Sequence, residues 1–247
     1  MICANCNGLV ETTFCPTCGQ KKEIHRISVG HVLHEGFHSV THADKGFLLL
    51  VKQLITRPGF IAKEYVEGKR KRYFNPLSFL VISSALLAYF GTITGYMDRL
   101  TSSSGRGTRQ GHPYWTEVFE IASHNGKWLI LLLMAPLFAF LSWIFFIRKP
   151  FNYGENLVLH SFIFGEAAIV RLVIFIPLSL LFPQYFFWFN SVAYEILYLA
   201  FLTVAYRQFF QQHIAFTIIK AIVIRILFVI LFWAVIFGYV VVKHLIV

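Results

Sequence analysis

The sequence predicts an all-α membrane protein: about five transmembrane helices, preceded by amphipathic interfacial helices and a small N-terminal zinc ribbon. Three observations carry this. Of the 247 residues 57% are hydrophobic and 17% aromatic, and the mean hydropathy is +0.63, outside the range of soluble domains. The formal charge of +10 is concentrated before Pro76 and in the short loops after it. That distribution suits a membrane surface, and makes nucleic acid an unlikely partner. All four cysteines fall between Cys3 and Cys18, spaced as in a metal site. Three regions follow: a ribbon over 1–22, cytoplasmic amphipathic helices over 23–74 and a transmembrane bundle over 75–247.

Cys3-Ala4-Asn5-Cys6 and Cys15-Pro16-Thr17-Cys18 form two C-x2-C pairs. Two such knuckles place four thiolates tetrahedrally around one structural Zn2+ per chain. Gly8 and Gly19 follow the pairs, where the backbone turns tightly toward the sulfurs. Met1 to Gln20 has no apolar core of a cleavable signal peptide. The head is therefore expected in the cytoplasm, where thiols stay reduced and metal is preferred to disulfides.

From Ser28 to Phe47 the periodicity is helical, with Val29, Val32, Leu33, Phe37, Val40 and Phe47 on one side. His31, His34, Glu35, His38 and His42 share the other. His34, Glu35 and His38 match H-E-x-x-H, in which two histidines hold a metal and the glutamate acts as base. His42 lies roughly 12 Å along the helix from His34 and cannot join the same site. Three readings stand, in decreasing weight: an interfacial helix, a second metal or proton-sensing site at His31, His34, His38 and His42, and a hydrolase.

Asp44 to Ile55 continues as an amphipathic helix, with Phe47, Leu50, Val51, Leu54 and Ile55 as its apolar stripe. Arg57-Pro58-Gly59 ends it, and a second short helix runs from Phe60 to Glu67 with Gly68 as C-cap. Both are expected to lie on the membrane. Lys69, Arg70, Lys71 and Arg72 then form a surface anchor that attracts anionic lipids and holds this side of the chain in the cytoplasm.

Taken together, His42, Asp44 to Phe47, Arg57 to Gly59, Glu64-Tyr65, Gly68 to Arg70 and Tyr73 to Pro76 spell H-x-D-K-G-F, R-P-G, E-Y-x-x-G-K-R and Y-F-N-P. With the cysteine pairs, the first 76 residues resemble a family of uncharacterised bacterial polytopic membrane proteins carrying a domain of unknown function. The resemblance implies a multi-pass bacterial inner-membrane protein and transfers no catalytic residue.

Beyond Asn75-Pro76 the expected spans are Leu77–Met97, Trp128–Ile147, Leu157–Phe182, Tyr185–Tyr206 and Ile214–Val242. Arg148, Lys149 and Arg207 then occupy cytoplasmic turns, and the odd number puts the C-terminus outside. A re-entrant pair in place of the third and fourth spans would return it to the cytoplasm. Glu166, Arg171, Glu195, Lys220 and Arg225 fall within spans, where charged groups are expensive and functional suspects. Depth matching pairs Arg171 with Glu195 and Glu166 with Arg225, and His160 would extend such a polar path.

No P-loop, nucleotide-binding glycine fingerprint or nucleophile elbow is present, and no inverted repeat is apparent. Three classes of function remain. The first is a binding or assembly module recruiting a protein partner, or a second copy of the chain, at the cytoplasmic face. The second is a transporter or channel for an ion, proton or lipid. The third is an H-E-x-x-H metalloenzyme.

Overall fold

The computed structural model describes residues 1–23, 26–30, 46–105 and 126–246. Helices account for almost all of the regular structure among them: α1 (Gly46–Thr56), α2 (Pro58–Val66), α3 (Pro76–Ile93), α4 (Tyr96–Gly105), α5 (Gly126–Phe145), α6 (Tyr153–Val170), α7 (Ile176–Leu181), α8 (Tyr194–Phe210) and α9 (Ile214–Ile246). A π-helical turn, Arg171–Phe175, joins α6 to α7, and a second, Trp188–Ala193, leads into α8. Four stretches among the described residues are long and apolar enough to cross a membrane: Pro76–Ile93, Tyr153–Leu181, Trp188–Phe210 and Ile214–His244. At 20 residues, α5 supplies the fifth long helix. The third and fourth expected spans fall on stretches of 29 and 23 residues, each sufficient to cross without being re-entrant.

Local chemistry sets the helix starts. Asn75 accepts hydrogen bonds from the Leu77 and Ser78 amides at 3.0 and 3.2 Å, and Pro76 occupies the first turn of α3, where its missing N–H costs nothing. At α6, Asn152 accepts from the Glu155 amide at 2.8 Å while Glu155 accepts from the Asn152 amide at 2.7 Å, a reciprocal capping box. Gly68, at φ 111°, closes α2 where a side chain would be strained.

The stripe of α1 faces the bundle, not lipid. Leu50 and Leu54 are fully buried, Phe47 lies 5.2 Å from the Phe79 ring, and Ile55 alone of the stripe is well exposed. Next to it, α2 crosses α8 at backbone contact. A Cβ on Gly59 would sit 2.1 Å from the Ala205 carbonyl oxygen and 2.7 Å from the Phe209 nitrogen. Gln208 seals this crossing, accepting from the Gly59 amide at 3.0 Å and donating to the Thr56 carbonyl at 3.1 Å. Residues of α1, α2, α3, α5, α6, α8 and α9 thus share one hydrophobic core. Both helices are amphipathic as expected: one face packs on the bundle, while Leu48, Leu49 and Phe60 remain exposed on the other. Their apolar residues are contiguous with the bundle because glycine at position 59 lets the backbones meet.

The N-terminal head has a separate small core of Cys3, Val10 and Cys15. Two contacts fasten the head and the linker after it to the helices. Gln20 accepts from the Lys71 amide at 3.2 Å. Arg26 donates to both Glu155 oxygens at 2.8 and 3.1 Å, while Asn152 donates to the Ile27 carbonyl at 2.9 Å.

Candidate functional site

Among the described residues three clusters of chemistry stand out: the cysteines, the Glu64 hub and a cavity inside the bundle. In the head, Ile2 bridges Leu9 and Phe14 bridges Lys21, so the two knuckles are built alike. The Cys3 amide donates to the Gly8 carbonyl and the Cys15 amide to the Gln20 carbonyl, both at 2.8 Å. Asn7 and Gly19 occupy matching positions with φ 60° and 70°. Gly8, expected to make the first turn, does not; Asn7 makes it, since asparagine tolerates the left-handed region. Gly8 is instead confined, because an added Cβ would meet the Thr17 hydroxyl at 3.3 Å and the Cys6 sulfur at 3.4 Å. The Gln20 amide, directed at Cys18, holds that thiol below its usual value.

All four sulfurs lie within 4.8 Å of one another, with Cys3–Cys18 at 3.6 Å and Cys6–Cys15 at 3.5 Å. A disulfide requires about 2.05 Å, whereas a tetrahedral thiolate site with bonds of about 2.3 Å has edges near 3.8 Å. The donor set therefore fits a four-coordinate metal ion with every position filled by protein.

The hub draws together pieces that are scattered along the sequence. Glu64 accepts from the Tyr73 hydroxyl at 2.6 Å, and Lys69, Arg72 and Arg57 approach it to 3.5, 3.9 and 3.9 Å. Burial pushes this carboxyl up, but the Tyr73 hydrogen bond and the Lys69 and Arg72 charges outweigh it and hold Glu64 below the usual range. Burial and the same contact push the Tyr73 phenol up to about 12. Two of the four cations assigned to the membrane surface, Lys69 and Arg72, thus also close this internal network.

Residues from all five long helices line a partly open cavity of about 130 Å³. Leu80, Ser84 and Leu87 come from α3, Met134 and Phe138 from α5, and Phe164, Ala167 and Ala168 from α6. Arg171 opens the first π turn; Tyr194, Glu195 and Tyr198 follow the second, and Arg225 reaches in from α9. Arg225 binds Glu195 bidentately at 2.7 and 3.1 Å. Arg171 lies over the Tyr194 ring at 3.8 Å.

The structure corrects both expected pairings. Arg225, not Arg171, is the partner of Glu195. Glu166 is 1% exposed and neither carboxylate oxygen has a hydrogen-bond partner. Lys220 leaves the cluster altogether: its ammonium lies 4.3 Å from the Phe146 ring and donates to Gln212 at 3.2 Å. His160 is a core histidine rather than part of a path. Its Nδ1 donates to the Asn156 carbonyl at 2.9 Å, which leaves Nε2 to accept from the Tyr206 hydroxyl at 3.0 Å. His31, His34, Glu35, His38 and His42 lie outside the described residues.

Sequence reasoning missed the Glu155–Arg26 clasp and a buried Tyr96–Asn190–Ser179 chain, in which Tyr96 donates to Asn190 and Asn190 donates to Ser179 at 3.0 Å. The first had no signal of its own, although Asn-x-x-Glu ahead of an apolar run marks the Asn152–Glu155 capping box beside it. The second had none.

Fold and site together define a helical membrane-type protein with a head whose four cysteines are placed to hold a metal ion, and a charged cavity between its long helices. Residues 44–88 match the family model described as Protein of unknown function (DUF3667), which bears out the resemblance drawn from the D-K-G-F, R-P-G, E-Y-x-x-G-K-R and Y-F-N-P runs. No curated protein and no solved structure matches the chain.

Proposed function

We propose that the chain is a multi-pass protein of the bacterial inner membrane that binds and passes a small polar solute or ion through the cavity between its long helices. The observation that carries this reading is the cavity wall itself. Five helices converge on an Arg225–Glu195 pair, Arg171 and the hydroxyls of Ser84 and Tyr198, groups that hydrocarbon tolerates only with partners. Two π turns border it, and such turns recur at functional sites. The four-cysteine head holds a structural Zn2+, one per chain, and faces the cytoplasm with the Lys69–Arg72 anchor on anionic lipid. A closed four-thiolate site offers no open position for catalysis.

A second reading, recruitment of a protein partner or a second copy, is favoured by one feature of the head. Met1, Ile2, Leu9 and Phe14 are 51–73% exposed, an apolar surface unusual for so small a unit.

Flux assays in proteoliposomes test the first reading. Full-length protein is expected to pass at least one of protons, monovalent cations or small anions. Ala168→Phe, which fills the cavity, is expected to abolish that flux while the protein stays folded. Absence of flux across the whole panel, or undiminished flux in Ala168→Phe, would count against it.

A further inference from the structure

We propose that the cavity takes the anionic group of its ligand, a phosphate or carboxylate, and that Arg171 is the residue that holds it; this rests on reading the cavity as the working site. Arg171 and Arg225 face one acid in the wall, Glu195, so the wall carries one excess positive charge. Glu195 is engaged by Arg225 through two contacts. Arg171 has no carboxylate within ion-pair range among the described residues. Its guanidinium lies 3.8 Å from the Tyr194 ring centre, an arrangement in which the ring engages the cation's charge while the N–H groups at its edge remain donors. Its Nε is buried without a hydrogen-bond partner, as are the hydroxyls of Ser84 and Tyr198. Those two side chains are 4% and 6% exposed.

The unsatisfied groups of the wall are therefore a guanidinium and two hydroxyls, all able to donate. Guanidinium forks recognise phosphate and carboxylate, and an anion here would satisfy charge and donors together. The volume of about 130 Å³ is close to cavities that hold benzene, at about 150 Å³. It suits a phosphate or short carboxylate group, with the remainder of any larger ligand left outside the opening. The anion can belong to a soluble molecule or to a lipid head group entering from the side.

Thermal unfolding of the full chain in phosphatidylcholine nanodiscs separates these sources. The probes are inorganic phosphate, acetate, and phosphatidic acid mixed into the disc. At least one is expected to raise the Tm saturably, because a ligand of the native state stabilises it. Arg171→Gln should weaken the apparent affinity tenfold or more and Tyr198→Phe threefold or more, while Arg148→Gln, away from the cavity wall, leaves it unchanged. Stabilisation by phosphate or acetate in pure phosphatidylcholine assigns a soluble ligand; stabilisation by phosphatidic acid alone assigns a head group. Arg171→Lys, which keeps the charge but not the fork, should fall between wild type and Arg171→Gln, and serves as the test if the latter accumulates poorly. Failure of all three probes, or equal affinity in Arg171→Gln or Arg171→Lys and wild type, overturns the assignment. If none of them binds but a cation does, and is lost in Glu195→Gln, the cavity reading stands and the anion assignment alone fails. If nothing binds, both fall.

Discussion

Glu64 shows how single residues carry the motif. R-P-G, E-Y-x-x-G-K-R and Y-F-N-P are separate runs in the sequence, yet Arg57, Lys69, Arg72 and Tyr73 all converge on this one carboxylate. Glu64→Gln should destabilise the protein by about 1–2 kcal/mol at neutral pH, because the Tyr73 bond loses its charge assistance and three cations lose their counter-charge. Because the folded-state carboxyl titrates below its usual value, its contribution is complete above the unfolded pKa, near 4.5, and disappears as pH falls through the folded one. Wild type should therefore lose stability more steeply than Glu64→Gln below about pH 5. Parallel Tm-versus-pH curves for the two proteins would contradict this. At the same scale, Glu195→Arg combined with Arg225→Glu should restore accumulation lost in either single variant. Glu195→Arg with Arg171→Glu should not, since Arg171 stands on the Tyr194 ring rather than beside Glu195.

At the scale of elements, the crossing of α2 over α8 is the most constrained contact. Gly59→Ala drives a methyl into the Ala205 carbonyl and the Phe209 amide, neither of which can rotate away. Destabilisation of about 2 kcal/mol or more is expected, read as a fall in Tm or in accumulated protein. Gly238→Ala, in open space on α9, is the control and should cost nothing. Element boundaries were legible in the sequence where local chemistry dictates them. Asn75-Pro76, Arg57-Pro58-Gly59 and Gly68 each encode a start or a stop within a few residues. The charge pairing was not legible. Depth matching assumes uniform α-helical rise and known neighbours, whereas π turns precede Glu195 and begin at Arg171. Which helices adjoin is decided by packing, not by periodicity. The Arg26–Glu155 clasp joins residues 129 positions apart, beyond the reach of any local pattern.

For the whole molecule, the head and the bundle have separate cores. Metal removal is thus expected to unfold the head alone. Chelation, or Cys3→Ser with Cys6→Ser, should abolish one bound zinc per chain and expose residues 1–23 to protease. The helical circular-dichroism signal should stay near its original value, because the head contains no helix. Collapse of that signal on chelation would show that the bundle depends on the head. The gathering of the four cysteines was readable from their positions alone, since two C-x2-C pairs need little context. The cavity was readable only as a set of misplaced charges, because its wall is built by five helices at once.

One dimension of the bundle bears on its surroundings. α3 has 18 residues, whereas the apolar part of α9 runs for 31, about 27 Å against 46 Å at 1.5 Å per residue. A hydrocarbon layer of about 30 Å matches the first and is exceeded by the second. Most of the α9 surface is apolar and outward-facing, so the excess length cannot be left in water without cost. The helix must lean steeply or thicken the bilayer beside it. Arg225 sits on this long helix, so by either adjustment the Arg225–Glu195 pair ties the cavity to the thickness of the membrane around it.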